Sequence, residues 1–272
     1  MQTRYFDGPR PRIFAHRGSG GSAPENTLVA FEMAVEAGVD MLEMDVHATI
    51  DDHIVVMHDE MLERTTNGTG PISAITLDEL KGLNAGYKFT QDDGKTFPYR
   101  EKGIAVPTLR EVAEKFPNIP FNIEVKQDKP PIEDAVFRLL DELGHAEITL
   151  LTSEKEDLVK RIRLLDPGLP TTFCSTEVLE FLQCLYQNNW GDYTPPARAM
   201  QIPEEYEGIP VLTPESLEAA HNLGIEVHIW TVNEKADMRR LLEMGVDGIM
   251  SDHPERLITV VREMGLRPDL NP

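Results

Sequence analysis

Four short stretches of this 272-residue chain carry side chains able to do chemistry together: His16-Arg17-Gly18, Glu43-Met44-Asp45, His58-Asp59 and Glu124-Val125-Lys126. The three triplets each end a short apolar run, so each is expected at the end of a β-strand, where residues two apart share a face. Glu43 and Asp45 then point the same way, as do Glu124 and Lys126. Three carboxylates meeting at strand ends make an oxygen-rich site for one hard divalent cation, Mg²⁺ or Ca²⁺ with Mn²⁺ as a further option, rather than for zinc. Without a cation, clustered acids repel and at least one takes up a proton. Glu124 and Lys126 alone read equally well as a core ion pair; Glu43 and Asp45 on a neighbouring strand tip the balance towards a site.

His16 and His58 are the candidate acid and base, because imidazole titrates near neutrality. Arg17 offers a fork that matches phosphate oxygens, with a surface ion pair as the plainer alternative. Glu25 is expected to hold Arg17, and Asn26 to cap the helix that follows it. Trp230 offers an apolar platform for an alcohol or glycerol moiety, with ordinary strand-end packing as the plainer alternative. His47, His53, His221 and His253 lack such company and are expected at the surface, whereas His228 fits the core.

The elements that must position these residues repeat as apolar run, polar loop, helix and glycine. Gly38, Gly144, Gly224, Gly245 and Gly265 each follow a helical pattern and suit the left-handed position beyond a helix end. Residues 131–143 carry apolar side chains at i, i+3, i+4 and i+7, and Thr213-Pro214 reads as a cap followed by a first-turn proline. Strands are expected near 12–15, 40–45, 121–125, 148–152, 170–174, 198–202, 225–230 and 246–250. Eight strands alternating with helices predict an α/β fold, a (β/α)₈ TIM barrel whose active site lies at the C-terminal strand ends.

A ninth run, 54–57, follows too closely for a parallel crossover and is expected to fold back as a hairpin. Pairing 47 with 54 sets His58 beside Glu43. Residues 59–107 lack barrel periodicity and form an insertion after the second strand, within a single domain spanning 1–272. Phe89, Phe97 and Tyr99 are available there for an apolar groove that would admit a lipid.

The net charge of −21 speaks against nucleic acid and anionic membrane surfaces as partners, since phosphate-rich partners need basic patches. No apolar run is long enough to span a membrane, so no stable membrane insertion is expected. The polar start Met1 to Arg12 has no signal-like segment, and Cys174 and Cys184 read as reduced thiols; a cytoplasmic location is expected. A glycosidase would also use paired carboxylates in a barrel, but would need neither the histidines nor a metal.

The chain resembles the glycerophosphodiester phosphodiesterase family in AHRG at 15–18, APENT at 23–27, EMDV at 43–46 and VVMHDEMLERTTNGTG at 55–70. NIEVK at 122–126, VHIWTVN at 227–233 and VDGIMSDHP at 246–254 continue the match in the family's order. The resemblance implies a TIM barrel with an insertion after its second strand, and a divalent cation on Glu43, Asp45 and Glu124. It implies His16 and His58 as general acid and base, with Arg17 and Lys126 facing the phosphate. The implied small-molecule substrate is a glycerophosphodiester, cleaved to sn-glycerol 3-phosphate and an alcohol through a cyclic phosphate formed by the glycerol 2-hydroxyl. A lysophospholipase D-like activity on lipid substrates is the alternative, and a non-catalytic binding protein a remote one. The resemblance assigns no oligomeric state.

Overall fold

The computed structural model describes residues 1–270. In chain order the first half comprises β1 (Arg12–Ala15), α1 (Leu28–Ala37), β2 (Met41–Ala48), β3 (Ile54–Val56), α2 (Leu77–Lys81), α3 (Leu109–Lys115), β4 (Phe121–Val125) and α4 (Glu133–Glu142). There follow β5 (Thr149–Thr152), α5 (Glu156–Leu165), α6 (Ser175–Gln187), β6 (Ala199–Ile202), β7 (Glu205–Tyr206), β8 (Ile209–Pro210) and α7 (Pro214–Asn222). The chain closes with β9 (Glu226–Ile229), α8 (Lys235–Met244), β10 (Gly248–Ser251) and α9 (Pro254–Glu263).

Seven strands run parallel in the order β5-β4-β2-β1-β10-β9-β6, a curled sheet with helices packed against it. A sheet covered on both faces needs apolar residues on both, and β2 is buried along its whole length. Local signals start and stop the helices. Thr27 caps α1 by accepting from the Ala30 amide, and Gly38 ends it at φ 95°, a conformation costly to any residue with a Cβ. Thr213 caps α7 with Pro214 in its first turn, as the sequence predicts.

The eighth expected strand, 170–174, is not a regular strand. It lies extended between β5 and β6 and completes the ring with few ladder bonds. The Leu151 amide donates to the Pro170 carbonyl at 3.0 Å, and Thr172 bridges Ala199. Two causes are visible. Pro170 has no amide hydrogen to give. The Thr172 hydroxyl takes the place of a backbone partner, donating to the Ala199 carbonyl at 3.0 Å and accepting from the Gln201 amide at 3.2 Å.

The predicted fold-back of β3 onto β2 is present, but shifted by one residue: His47 pairs with Val55 and Ala48 with Ile54. The turn from Thr49 to His53 is one residue longer than the expected pairing, with Asp52 at φ 62° and the Thr49 amide bonded to the His53 carbonyl at 3.0 Å. The ladder continues to Asp45, whose carbonyl accepts from the Met57 amide at 2.9 Å, so this register sets Met44 rather than Glu43 opposite His58. His58 follows directly and still reaches the cavity that Glu43 lines.

Residues 59–107 pack on a small cluster of their own, with Leu62, Ile72, Leu80, Ala85 and Val106 against Val55 and Met57 of the hairpin. Phe89 stacks edge-on against Tyr99 at 5.2 Å, and Phe97 lies under the Arg100 guanidinium at 3.6 Å. Phe89 and Phe97 pack within the insertion, Tyr99 also donates to the Ser22 carbonyl at 3.4 Å, and none of the three lines the cavity at the strand ends. No helix among the described residues is long and apolar enough to cross a membrane.

Candidate active site

The C-terminal ends of the strands surround a cavity of about 640 Å³. His16, Arg17, Glu43, Asp45, His58, Glu124, Lys126 and Trp230 all line it. The sheet explains how. β2 lies between β1 and β4, and Asp45 pairs directly with Glu124 across the β2–β4 ladder. After β1 the chain turns sharply, with Arg17 at φ 52° and Gly18 at φ 83°. A Cβ on Gly18 would come within 2.8 Å of the Ala30 backbone, so only glycine fits this close approach. That turn aims the Arg17 amide at Glu43 Oε2, 2.8 Å away.

Cations thread the carboxylates. Lys126 Nζ lies 2.7 Å from Glu124 Oε2 and 3.5 Å from Asp45 Oδ1, and Arg17 Nε lies 3.4 Å from Asp45 Oδ2. Glu25 does hold Arg17, accepting from Nη1 at 3.1 Å. Burial and the neighbouring Asp45 push the Glu43 carboxyl up to about 7. Burial likewise lifts Glu124 to about 7, against the pull of Lys126. Burial opposes the charge on Lys126, but Glu124 and Asp45 outweigh it and raise its pKa.

Each histidine rests on a carboxylate. His16 Nδ1 lies 2.7 Å from Asp252 Oδ1, and His58 Nδ1 lies 2.6 Å from Asp59 Oδ1. Burial works against a charged His16, yet Glu43 and Asp252 together raise its pKa. His16 Nε2 points towards Glu43 Oε2, 3.9 Å away. Trp230, 40% exposed, stands at the end of β9 on the rim.

Several residues behave differently from expectation. Asn26 is not the cap of α1; Thr27 is. Asn26 instead sits buried at φ 56°, donates from Nδ2 to Asp45 Oδ2 at 2.9 Å and accepts from the Asp45 amide at 3.4 Å. His47 is buried rather than at the surface, its Nε2 bonded to the His58 carbonyl at 3.0 Å. His253 is partly buried against Gly21. His53 and His221 are exposed and His228 is buried, as expected. Cys174 is buried, whereas Cys184 is only partly so. Asp59, named in the sequence beside His58 with no role of its own, holds that imidazole; Arg64 and Asp252, which no sequence pattern marks, support the site as well.

The donor chemistry suits a hard cation. Glu124 Oε1 is buried with no hydrogen-bond partner, an acceptor of the kind that a hard cation takes. Among the described residues no group of three or more His, Cys, Asp or Glu side chains is arranged to hold a metal ion. Lys126 and Arg17 neutralise these carboxylates as they stand.

The model of the glycerophosphoryl diester phosphodiesterase family matches residues 16–256. A protein of Caldanaerobacter subterraneus subsp. tengcongensis named glycerophosphodiester phosphodiesterase is 36% identical over 261 residues, covering 93% of this chain and 98% of that protein. A glycerophosphodiester phosphodiesterase structure from Agrobacterium tumefaciens aligns with a TM-score of 0.72 and 27% identity, over 90% of this chain and 98% of the other. An Oleispira antarctica phosphodiesterase, solved with the product sn-glycerol-3-phosphate, shares the fold at a TM-score of 0.73 and 24% identity, over 93% and 97% of the two chains. A barrel with these motifs at its strand ends, matched along nearly its whole length, belongs to the glycerophosphoryl diester phosphodiesterase family and is an enzyme of that family.

Proposed function

We propose that the protein hydrolyses glycerophosphodiesters to sn-glycerol 3-phosphate and an alcohol, using His16 and His58 as its proton-transfer pair. The observation that carries this reading is the paired anchoring of the two imidazoles. With Nδ1 of each turned to a carboxylate, Nε2 of each is left for the reacting oxygens. One imidazole takes the proton of the attacking hydroxyl while the other delivers a proton to the leaving oxygen. The roles exchange when water attacks in the second step. Arg17 and Lys126 contribute fixed positive charge at the phosphate, where negative charge grows as the new P–O bond forms.

Glu43, Asp45 and Glu124 hold one divalent cation in this reading, Mg²⁺ or Ca²⁺, with Mn²⁺ as a further option. When bound, the cation supplies Lewis-acid charge to the non-bridging phosphate oxygens. The reduced thiols support a cytoplasmic location.

The test is release of sn-glycerol 3-phosphate from glycerophosphocholine by EDTA-stripped protein, with Mg²⁺, Ca²⁺ or Mn²⁺ restored separately. Activity that returns only with a divalent cation supports the reading. Activity indifferent to EDTA removes the metal from it, and no release by folded protein with any ion removes the reaction.

A second reading, a lysophospholipase D-like activity, draws on one feature of the cavity. Val178, Leu179 and Leu182 of α6 and Tyr206 and Ile209 of the β7–β8 hairpin make one side apolar, with Leu179, Tyr206 and Ile209 at least 49% exposed. An acyl chain would lie there, opposite the insertion in which a groove was expected. Faster turnover of lysophosphatidylcholine than of glycerophosphocholine, lost in Leu179→Gln and Ile209→Gln, would favour it.

A further inference from the structure

We propose that Arg64 is a positioning residue that keeps the phosphate-facing arginine and one catalytic histidine in a common register. The proposal rests on the assignment of Arg17 to the phosphate and His58 to proton transfer. Arg64 lies in the insertion, and its guanidinium is forked to two carboxylates at once. Nη1 and Nη2 donate to Glu25 Oε2 and Oε1, both at 2.7 Å. Nε and Nη2 donate to Asp59 Oδ2 and Oδ1 at 2.5 and 3.1 Å.

Each carboxylate passes the contact on. Glu25 Oε1 accepts from Arg17 Nη1 at 3.1 Å, and Asp59 Oδ1 meets His58 Nδ1 at 2.6 Å. The result is one unbroken chain, Arg17–Glu25–Arg64–Asp59–His58. It ties the turn after β1 to the start of the insertion. Arg17 and His58 line the cavity, and the three residues between them do not.

The chemistry explains why the link is an arginine. A guanidinium presents donors in a rigid plane and can serve two carboxylates together, whereas an ammonium is a point charge. Without it, Glu25 and Asp59 would be two anions of the same sign with no cation between them. Burial disfavours the charge on each, yet the arginines hold Glu25 below the usual carboxylate range, and Arg64 with His58 brings Asp59 down to about 2. The Arg64 side chain is 45% exposed, so its removal opens no core cavity and leaves the fold in place. His47, bonded to the His58 carbonyl at 3.0 Å, supports the same histidine from its other side.

The experiment compares Arg64→Gln and Arg64→Lys with Glu25→Gln and Asp59→Asn, using glycerophosphocholine with Mg²⁺ supplied. Steady-state rates are read beside the downfield proton resonance of the His58 Nδ1–H. Glu25→Gln is expected to raise KM, and Asp59→Asn to lower kcat and abolish the resonance. Arg64→Gln is expected to do both, cutting kcat/KM by about 100-fold, the scale of an ångström-sized misplacement. Arg64→Lys reaches one carboxylate at a time and restores only one of the two effects. Adding Arg64→Gln to the Glu25→Gln/Asp59→Asn pair costs nothing further, because the residues act as a unit. Unchanged kcat, KM and resonance in Arg64→Gln, with only a lower melting temperature, would overturn the proposal and leave Arg64 as a tie for the insertion. Wild-type turnover in His58→Gln would instead overturn the acid–base assignment beneath it.

Discussion

Asp252 Oδ1 lies 2.7 Å from His16 Nδ1, joining the end of β10 to the end of the neighbouring β1. Asn233 fixes the carboxylate in turn, donating from Nδ2 to Asp252 Oδ2 at 2.7 Å and accepting from the Asp252 amide at 2.9 Å. A carboxylate so held selects one tautomer and one ring orientation of the imidazole. The same relation recurs between Asp59 and His58 on the other side of the cavity.

Asp252→Asn keeps the shape of this contact and removes its charge. We expect kcat to fall on the order of 10²- to 10⁴-fold with KM nearly unchanged, as when an orienting carboxylate is lost from an imidazole base. Initial rates of sn-glycerol 3-phosphate release measure it. A kcat within about threefold of wild type would remove Asp252 from the mechanism.

Glu43 and Glu124, both pushed up to about 7 by burial, predict that cation binding expels protons. At about pH 6 the metal-free protein holds protons on these carboxyls, and a cation must displace them. Calorimetric titration with Mg²⁺ in buffers of different ionisation enthalpy should show proton release at about pH 6 that fades by about pH 8.5. Equal proton release at both pH values would contradict the assignment of these carboxylates to the metal.

Glu226 predicts the acid limb of stability. Its side chain is buried against Arg12, with Nε to Oε2 at 2.7 Å and Nη2 to Oε1 at 2.9 Å. Burial alone would raise its pKa, but Arg12 and His228 bring it down to about 2. A depressed carboxylate stabilises the fold above its unfolded pKa, and the contribution is lost as pH falls through the folded one. The stake is on the order of 3 kcal/mol, lost between about pH 4.5 and pH 2. Urea midpoints across that window should fall more steeply for wild type than for Glu226→Gln. Parallel acid limbs would show that the pair contributes no such term.

The convergence of the site residues was legible because it follows from local pattern. An apolar run ending in alternating polar residues is a strand end, and strand ends of a parallel barrel share one face. The residues that hold the site lay out of reach for the opposite reason. Asp252 contacts His16 across 236 positions and Arg64 contacts Glu25 across 39, and nothing in spacing selects one acid or arginine among many. Asn26 looked like a cap because it stands one residue before Thr27, which has equal claim; only the backbone at φ 56° separates them. The eighth strand was read from apolar content, which does not register that a threonine hydroxyl replaces the ladder. The apolar side of the cavity was missed because Val178, Leu179 and Leu182 share the spacing of any helix face turned to a core.

We propose that this chain cleaves a glycerophosphodiester with two histidines as its proton-transfer groups. It is tested most directly by the rate of sn-glycerol 3-phosphate release from glycerophosphocholine, for wild type, His16→Gln and His58→Gln at one saturating concentration of Mg²⁺. Wild type should release the product, and each folded variant should lose about 100-fold or more of that rate, the scale of a general acid or base. Undiminished release by either folded variant would contradict it.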